Sequence, residues 1–206
     1  MPTVHNQKTE DLTSEQLVKL LDALNESSNI HVANMMKMAL YTGMRRGELF
    51  KLEWKDIDFE RGFIHIRDPK GGPDQKIPLN DPVRDLLENH PKTKSGYVFP
   101  GQDGNRRVSM QQAVNKIRKA AGLPPDFRPM HGLRHTYASM LASSGKVDMY
   151  TLQKLLTHKS PVMTQRYAHL RDDTLKRASN LAGDIISKAV KDSLKSVDLS
   201  NKRKGE

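Results

Sequence analysis

Gly62-Phe-Ile-His-Ile-Arg67, the loop Lys70-Gly-Gly-Pro-Asp74 and the return Gln75-Lys-Ile-Pro-Leu79 carry the β signal of a chain whose remaining pattern is helical. Phe63 and His65 alternate with Ile64 and Ile66, so one pair faces a core and the other faces away. The intervening turn formers make the two runs a hairpin. Trp54 to Phe59 is the candidate for a third short strand. On either side the period changes. Thr13-Ser-Glu-Gln16 is a capping box, followed by Leu17, Leu20, Leu21 and Leu24 at helical spacing. A second helix is expected from Ile30 to Thr42, burying Val32, Met35, Met36, Ala39 and Leu40 and stopped by Gly43. A third, about Arg46 to Leu52, starts at once and leaves Arg45 at a helix–helix junction. Beyond residue 81, Pro82 suits a helix start and Val83, Leu86 and Leu87 share a face. Val114, Ile117 and Ala121 mark a helix over Met110–Ala121, and more are expected at about 131–144, 148–157 and 161–168. The fold class is α+β, mainly α, with a small three-stranded antiparallel sheet.

The 206 residues suffice for one large domain with its own core. Residues 1–11 are polar and unpatterned and read as a tail or linker; the domain proper is expected over 12–173. Residues 174–206 stand apart as a C-terminal helix and basic tail. There, Leu175, Ala178, Leu181, Ala182, Ile185, Ile186, Ala189 and Val190 form an apolar stripe, suited to packing on its own domain or on a neighbouring subunit. The 34 Lys and Arg against 24 Asp and Glu leave a charge of +10, which favours a polyanionic partner through counterion release. The absence of cysteine excludes disulfides and thiolate metal sites. The N-terminus lacks an apolar signal core and no stretch approaches the roughly 18 apolar residues of a membrane span, so a soluble cytoplasmic protein is expected.

Three segments hold a parts list for phosphate chemistry: Thr42-Gly43-Met44-Arg45, His131-Gly-Leu-Arg134-His135 and His158-Lys-Ser-Pro-Val-Met-Thr-Gln-Arg-Tyr167. Phosphodiester exchange needs a nucleophile, charge stabilisation on the non-bridging oxygens and an acid for the leaving alkoxide. Arginine suits the second role because its planar fork binds two oxygens and stays charged. Arg45 and Arg134 come from distant segments and serve one phosphate only if the fold joins them; Arg46 competes with Arg45. His131, Arg134 and His135, at i, i+3 and i+4, share one side of a helix, and His135 suits a supporting hydrogen bond. Two histidines four apart are also a zinc spacing. However, Gly132 stands where the zinc-protease pattern has Glu, so neither metal nor other cofactor is expected. The phenol of Tyr167 is the candidate nucleophile, carried about two turns from His158 by a short helix starting at Ser160-Pro161. Lys70, at the hairpin tip, is the candidate acid.

Thr42-Gly-Met-Arg45-Arg-Gly-Glu48-Leu, His131-Gly-Leu-Arg134-His135-Thr and Leu155-Leu-Thr-His158-Lys-Ser, continuing to Thr164-Gln-Arg-Tyr167-Ala-His169, resemble the three signature boxes of the tyrosine recombinases of the phage-integrase family. Order and separation match, over about residues 10 to 172. The resemblance implies that Tyr167 attacks a DNA phosphate to form a 3′-phosphotyrosyl link and releases a 5′-hydroxyl. It implies that Arg45 and Arg134 clamp the phosphate, His131 assists proton transfer at the nucleophile, and His158 bonds a phosphate oxygen. Lys70 would be the general acid, with Glu48 and His135 in support, and neither metal nor ATP would be needed. The implied partner is double-stranded DNA, on which the chain would form a tetramer while being mostly monomeric without it. The role would be that of an integrase of a phage or other mobile element in a bacterial cell. Two departures stand out. Thr157 occupies a place where the family commonly has glycine. The chain also starts just before the catalytic domain, as an excised fragment or truncated product lacking the usual N-terminal core-binding domain would. The rival readings are a type IB topoisomerase-like enzyme and a DNA-binding remnant that no longer cuts.

Overall fold

The computed structural model describes residues 11–69, 72–171 and 174–188. The first helix, α1 (Ser14–Asn25), begins where Thr13 Oγ1 accepts from the Gln16 amide at 3.2 Å and Gln16 Oε1 accepts from the Thr13 amide at 3.0 Å. Two of the orphan amides of a helix start are thereby satisfied. Helix α2 (Ile30–Thr42) is capped by Asn29 and is the centre of the molecule. Its Val32, Met35, Met36, Met38 and Ala39 are fully buried, and it packs on α1 and on four helices that follow in sequence. These are α3 (Arg46–Lys51), α4 (Asp81–Glu88), α5 (Gln111–Ala120) and α6 (Pro129–Ser143). The expected apolar face of α2 is the observed one.

Strands β1 (Ile57–Asp58), β2 (Phe63–Ile66) and β3 (Gln75–Pro78) form an antiparallel sheet in that order. Ile64 pairs with Ile57 on one side and Ile77 on the other, and all three are buried with Ile66 while Phe63 is exposed. The third strand is shorter than Trp54–Phe59, because Trp54–Asp56 is a 3₁₀ turn. Buried Asp56 causes this: its Oδ2 accepts from the Glu53 amide at 3.0 Å and from Arg67 Nη2 at 2.8 Å. That curls the chain before Ile57 can join the ladder. Just past α4, His90 is buried with Nδ1 against Asn34 Nδ2 at 2.8 Å and Nε2 against the Val98 carbonyl at 3.0 Å. Burial, with His31 adding, holds its pKa down to about 4.

Helix α6 joins two hydrophobic clusters. Its Leu133 belongs to the large one formed by α1 to α5 and the sheet. Ala138 and Ala142 belong to a small one completed by Leu152 of α7 (Met149–Leu155), by Leu156 and by Tyr167. Tyr167 lies between α8 (Val162–Gln165) and a 3₁₀ turn at Ala168–Arg171. The chain is helical again over 174–188, with Thr174 and Arg177 against Gly145. Leu175, Leu181, Ile185 and Ile186 remain exposed there, while Ala189 and Val190 of the apolar stripe lie outside the described residues. Among the described residues no helix is long and apolar enough to cross a membrane.

Two glycines of the first box give opposite expectations. Gly43 has φ +67°, and a Cβ there would sit 2.6 Å from the Tyr137 ring. Gly47 lies inside α3 with nothing within 4 Å of a Cβ. Gly43→Ala should lower stability by more than the ~1–2 kcal/mol of a left-handed L-residue alone. Gly47→Ala should raise it by about 0.5–1 kcal/mol. Urea titration of the two variants checks both signs; equal effects would remove Gly43 from its structural role.

Candidate active site

The first segment is shaped by the stop of α2. Gly43 turns left-handed as its C-cap, and Thr42 Oγ1 donates to the Met38 carbonyl at 2.6 Å and accepts from the Met44 amide at 3.2 Å. The chain then re-enters a helix at once, with Arg45 as N-cap of α3. Glu48, three residues into α3, accepts from the Arg45 amide through Oε2 and from Arg45 Nη1 through Oε1, both at 2.8 Å. Nη1 also donates to the Thr157 hydroxyl at 2.5 Å and the Thr157 carbonyl at 3.2 Å. Arg45 is thus tied to the third segment. Arg46, its competitor, is exposed with its guanidinium 5.9 Å from the Phe50 ring centre.

In the second segment, α6 places His131, Arg134 and His135 on one side, as their spacing requires. Arg134 is buried, and its two terminal nitrogens donate to the carbonyls of Gly43 and Leu156. Burial, with Arg45 adding, lowers its pKa to about 10, which still leaves it charged at neutral pH. His131 is exposed, and its Nε2 lies 2.8 Å from Nε2 of buried His135. His135 Nδ1 lies 2.6 Å from the Tyr167 hydroxyl. A line of three groups therefore runs from the surface to the phenol, with His135 in contact with the oxygen. Burial first, then the repulsion that two neighbouring imidazoles would suffer if both were protonated, with nearby arginines adding, depresses the His135 pKa to about 3. At neutral pH its ring carries one proton and can relay another.

In the third segment, Thr157 takes the left-handed conformation at φ +49° after Leu156 closes α7. His158 then meets Thr164, with Nδ1 2.8 Å from the buried hydroxyl. Burial, with Arg134 and Arg45 next, lowers its pKa to about 3. Tyr167 is only 2% exposed, and burial pushes its phenol up against the opposing pull of Arg166 and Arg134. Arg45, Arg46, His131 and Arg134 line an open cleft of about 600 Å³ between α3, α5 and the start of α6, and Tyr167 is not in its wall.

Of the expected site residues, Arg45, Glu48, His131, Arg134, His135 and Tyr167 are brought together through these bonds, and His158 lies near enough to Arg134 and Arg45 for their charge to help lower its pKa. Lys70 lies outside the described residues. Its hairpin does approach the third segment, since a Cβ on Gly72 would sit 2.8 Å from Lys159 Cε. Among the described residues no three His, Asp or Glu converge as metal ligands. Sequence reasoning assigned no part to Thr164 or Tyr137. The signal for Thr164 was its hydroxyl six residues beyond His158, one short helix away; Tyr137 had none, because its ring closes on Gly43 only in three dimensions.

Residues 10–174 match the phage integrase family. The tyrosine recombinase XerA of Pyrococcus furiosus is 30% identical over 193 residues, covering 90% of this chain and 67% of that protein. The catalytic domain of bacteriophage HP1 integrase superposes with a TM-score of 0.65 at 25% identity, over 82% of this chain and 93% of that one. A XerH site-specific recombinase bound to a palindromic difH substrate in a post-cleavage complex gives 0.69 at 25% identity, over 89% and 56%. The chain spans about three fifths of the length of several curated relatives it matches. With the signature residues gathered by the fold and the match covering most of its length, the chain belongs to the phage integrase family and carries its tyrosine recombinase catalytic domain.

Proposed function

We propose that the chain is the catalytic part of a site-specific DNA recombinase that breaks and rejoins DNA through Tyr167. The observation that carries this reading is the line Tyr167–His135–His131, which leads from the phenol to a cleft walled by Arg45 and Arg134. In the proposed step, Tyr167 Oη attacks the scissile phosphorus and the bond to the 5′-oxygen breaks, leaving a 3′-phosphotyrosine and a 5′-hydroxyl. The phenolic proton passes to His135 Nδ1 and from His135 Nε2 to His131, the exposed end of the line. The guanidinia of Arg45 and Arg134 meet the charge that grows on the non-bridging oxygens, where preorganised donors act more strongly than water. His158, held through Nδ1 by Thr164, offers Nε2 to one of those oxygens. Lys70 protonates the leaving oxygen. The ester conserves the energy of the broken bond, so rejoining needs neither ATP nor metal.

Because Tyr167 is buried against its own domain, attack requires the segment around it to open when DNA fills the cleft. The exposed apolar stripe of helix 174–188 suits packing between protomers of a DNA-bound tetramer, and the charge of +10 suits duplex DNA as partner. The XerH relative was solved on its difH substrate, which supports the same substrate class here. The expected place of action is the bacterial cytoplasm, on DNA.

Incubation with a pool of nicked duplexes of randomised sequence should yield an SDS-resistant protein–DNA adduct. Tyr167→Phe should abolish the adduct while leaving DNA affinity within about two-fold, because only one oxygen is lost from a group outside the cleft wall. An undiminished adduct with Phe would place the nucleophile elsewhere, and no adduct with the parent chain would favour a non-cleaving DNA binder.

The buried imidazoles set a second expectation. An unfolded histidine takes up its proton near pH 6.5, whereas folded His135 and His158 stay neutral down to about 3 and His90 to about 4. Below pH 6.5 the unfolded chain binds more protons, so stability falls as pH drops from 7 toward 5. His135→Gln removes one such group, and its urea midpoint should fall less over that interval than the parent's. A parent midpoint that is flat or rises toward pH 5 would mean these rings are protonated in the fold.

A further inference from the structure

We infer that Thr157 is a positioning residue for Arg45, and that its strained backbone is retained because its hydroxyl fixes how that arginine is presented. The inference rests on the reading of Arg45 as a phosphate ligand. Among the described residues, Thr157 and Asp68 are the non-glycine residues with positive φ, and Asp68 is exposed in a turn. Thr157 is buried and β-branched, the kind of residue for which a left-handed conformation is a genuine outlier. The position follows a helix end, where glycine would make the same turn without strain. A backbone need alone therefore does not explain threonine. Such strain persists where surrounding contacts over-determine it, and it concentrates at functional sites.

The contacts show what the side chain supplies. Thr157 Oγ1 accepts from Arg45 Nη1 at 2.5 Å and donates to Glu48 Oε1 at 3.3 Å. The Thr157 carbonyl accepts from the same Nη1 at 3.2 Å, and Glu48 Oε1 does so at 2.8 Å. Nη1 has two hydrogens and meets three acceptors, so both are engaged on the protein side. Nη2 and Nε have no partner among the described residues and remain for a bidentate phosphate contact. Thr157 thus closes a three-membered ring, Arg45–Thr157–Glu48, in which the hydroxyl receives from the cation and gives to the carboxylate. Glycine would keep the carbonyl bond and lose this orientation. With Nη1 held only by Glu48 Oε1 and the Thr157 carbonyl, the guanidinium would keep its place but lose the hydroxyl that sets its tilt, and would spend less time in the productive geometry.

The test uses the full chain and the duplex that the parent selects from the randomised nicked pool. Thr157→Gly should melt no lower than the parent, since relief of strain offsets the hydroxyl's two lost hydrogen bonds and both Nη1 hydrogens keep an acceptor in Glu48 Oε1 and the residue 157 carbonyl. Its single-turnover rate of adduct formation at saturating protein should nevertheless fall about ten-fold or more, the usual consequence of losing a hydrogen bond to a charged group, with DNA affinity unchanged. Thr157→Ser restores the hydroxyl and should recover the rate to within about three-fold. In an Arg45→Ala background, Thr157→Gly should change the rate no further. A Gly variant that cleaves at the parental rate while Arg45→Ala is slow overturns the inference alone. Loss of melting temperature and rate together, unrepaired by serine, also overturns it in favour of a purely structural threonine. If Arg45→Ala itself cleaves at the parental rate, the assignment of Arg45 falls, and the role of Thr157 with it.

Discussion

A single buried cation, the guanidinium of Arg134, holds the site together. Its two terminal nitrogens donate to the carbonyls of Gly43 and Leu156, the residues at which α2 and α7 stop. Helix ends expose unsatisfied carbonyls, and a buried charge needs donors or acceptors around it; each problem answers the other. The consequence is geometric. Just past those two ends lie Arg45 on one side and Thr157 and His158 on the other, so the cation that joins the helix ends also fixes the separation of the first and third signature segments. Gly43 is indispensable to this arrangement, because its left-handed turn and the close Tyr137 ring leave no room for a side chain.

The electrostatics follow from that core. Two arginines with one buried carboxylate, Glu48, make the cleft strongly cationic, and burial first, with Arg134 adding, keeps His135 and His158 neutral. Neutral rings are what a phenol requires of its neighbours, since an imidazolium could donate a hydrogen bond to it but could not take its proton. Burial raises the Tyr167 pKa in the free chain, and contact with DNA is the event that would change its surroundings.

Much of the fold was legible because its signals are local. The capping box at Thr13, the left-handed stop at Gly43 and the alternation of Phe63 to Ile66 each act within a few residues, and each stands in the structure as expected. The stretch Trp54–Asp56 was misread as strand because its aromatic residue suggests β structure, whereas the deciding partner of Asp56 is Arg67, eleven residues away. At the site, residue identity and spacing named side chains that the fold places near one another but not the order in which they touch. That His135 touches the phenol while His131 reaches the surface depends on the direction in which α6 meets the small cluster around Tyr167, a tertiary fact. Thr157 shows the same limit: a missing glycine is visible in the sequence, but the Arg45 and Glu48 contacts that compensate for it are not.

The central claim is that one phenolic oxygen, that of Tyr167, carries the DNA. Trypsin and nuclease digestion of trapped adduct, followed by peptide mass mapping, addresses it directly, because cleavage after Arg166 and Arg171 isolates Tyr167-Ala-His-Leu-Arg171. The account predicts the residual nucleotide on that five-residue peptide. A nucleotide mapped instead to the peptide bearing Tyr137, a half-buried tyrosine near Arg134, or to any serine, would contradict it.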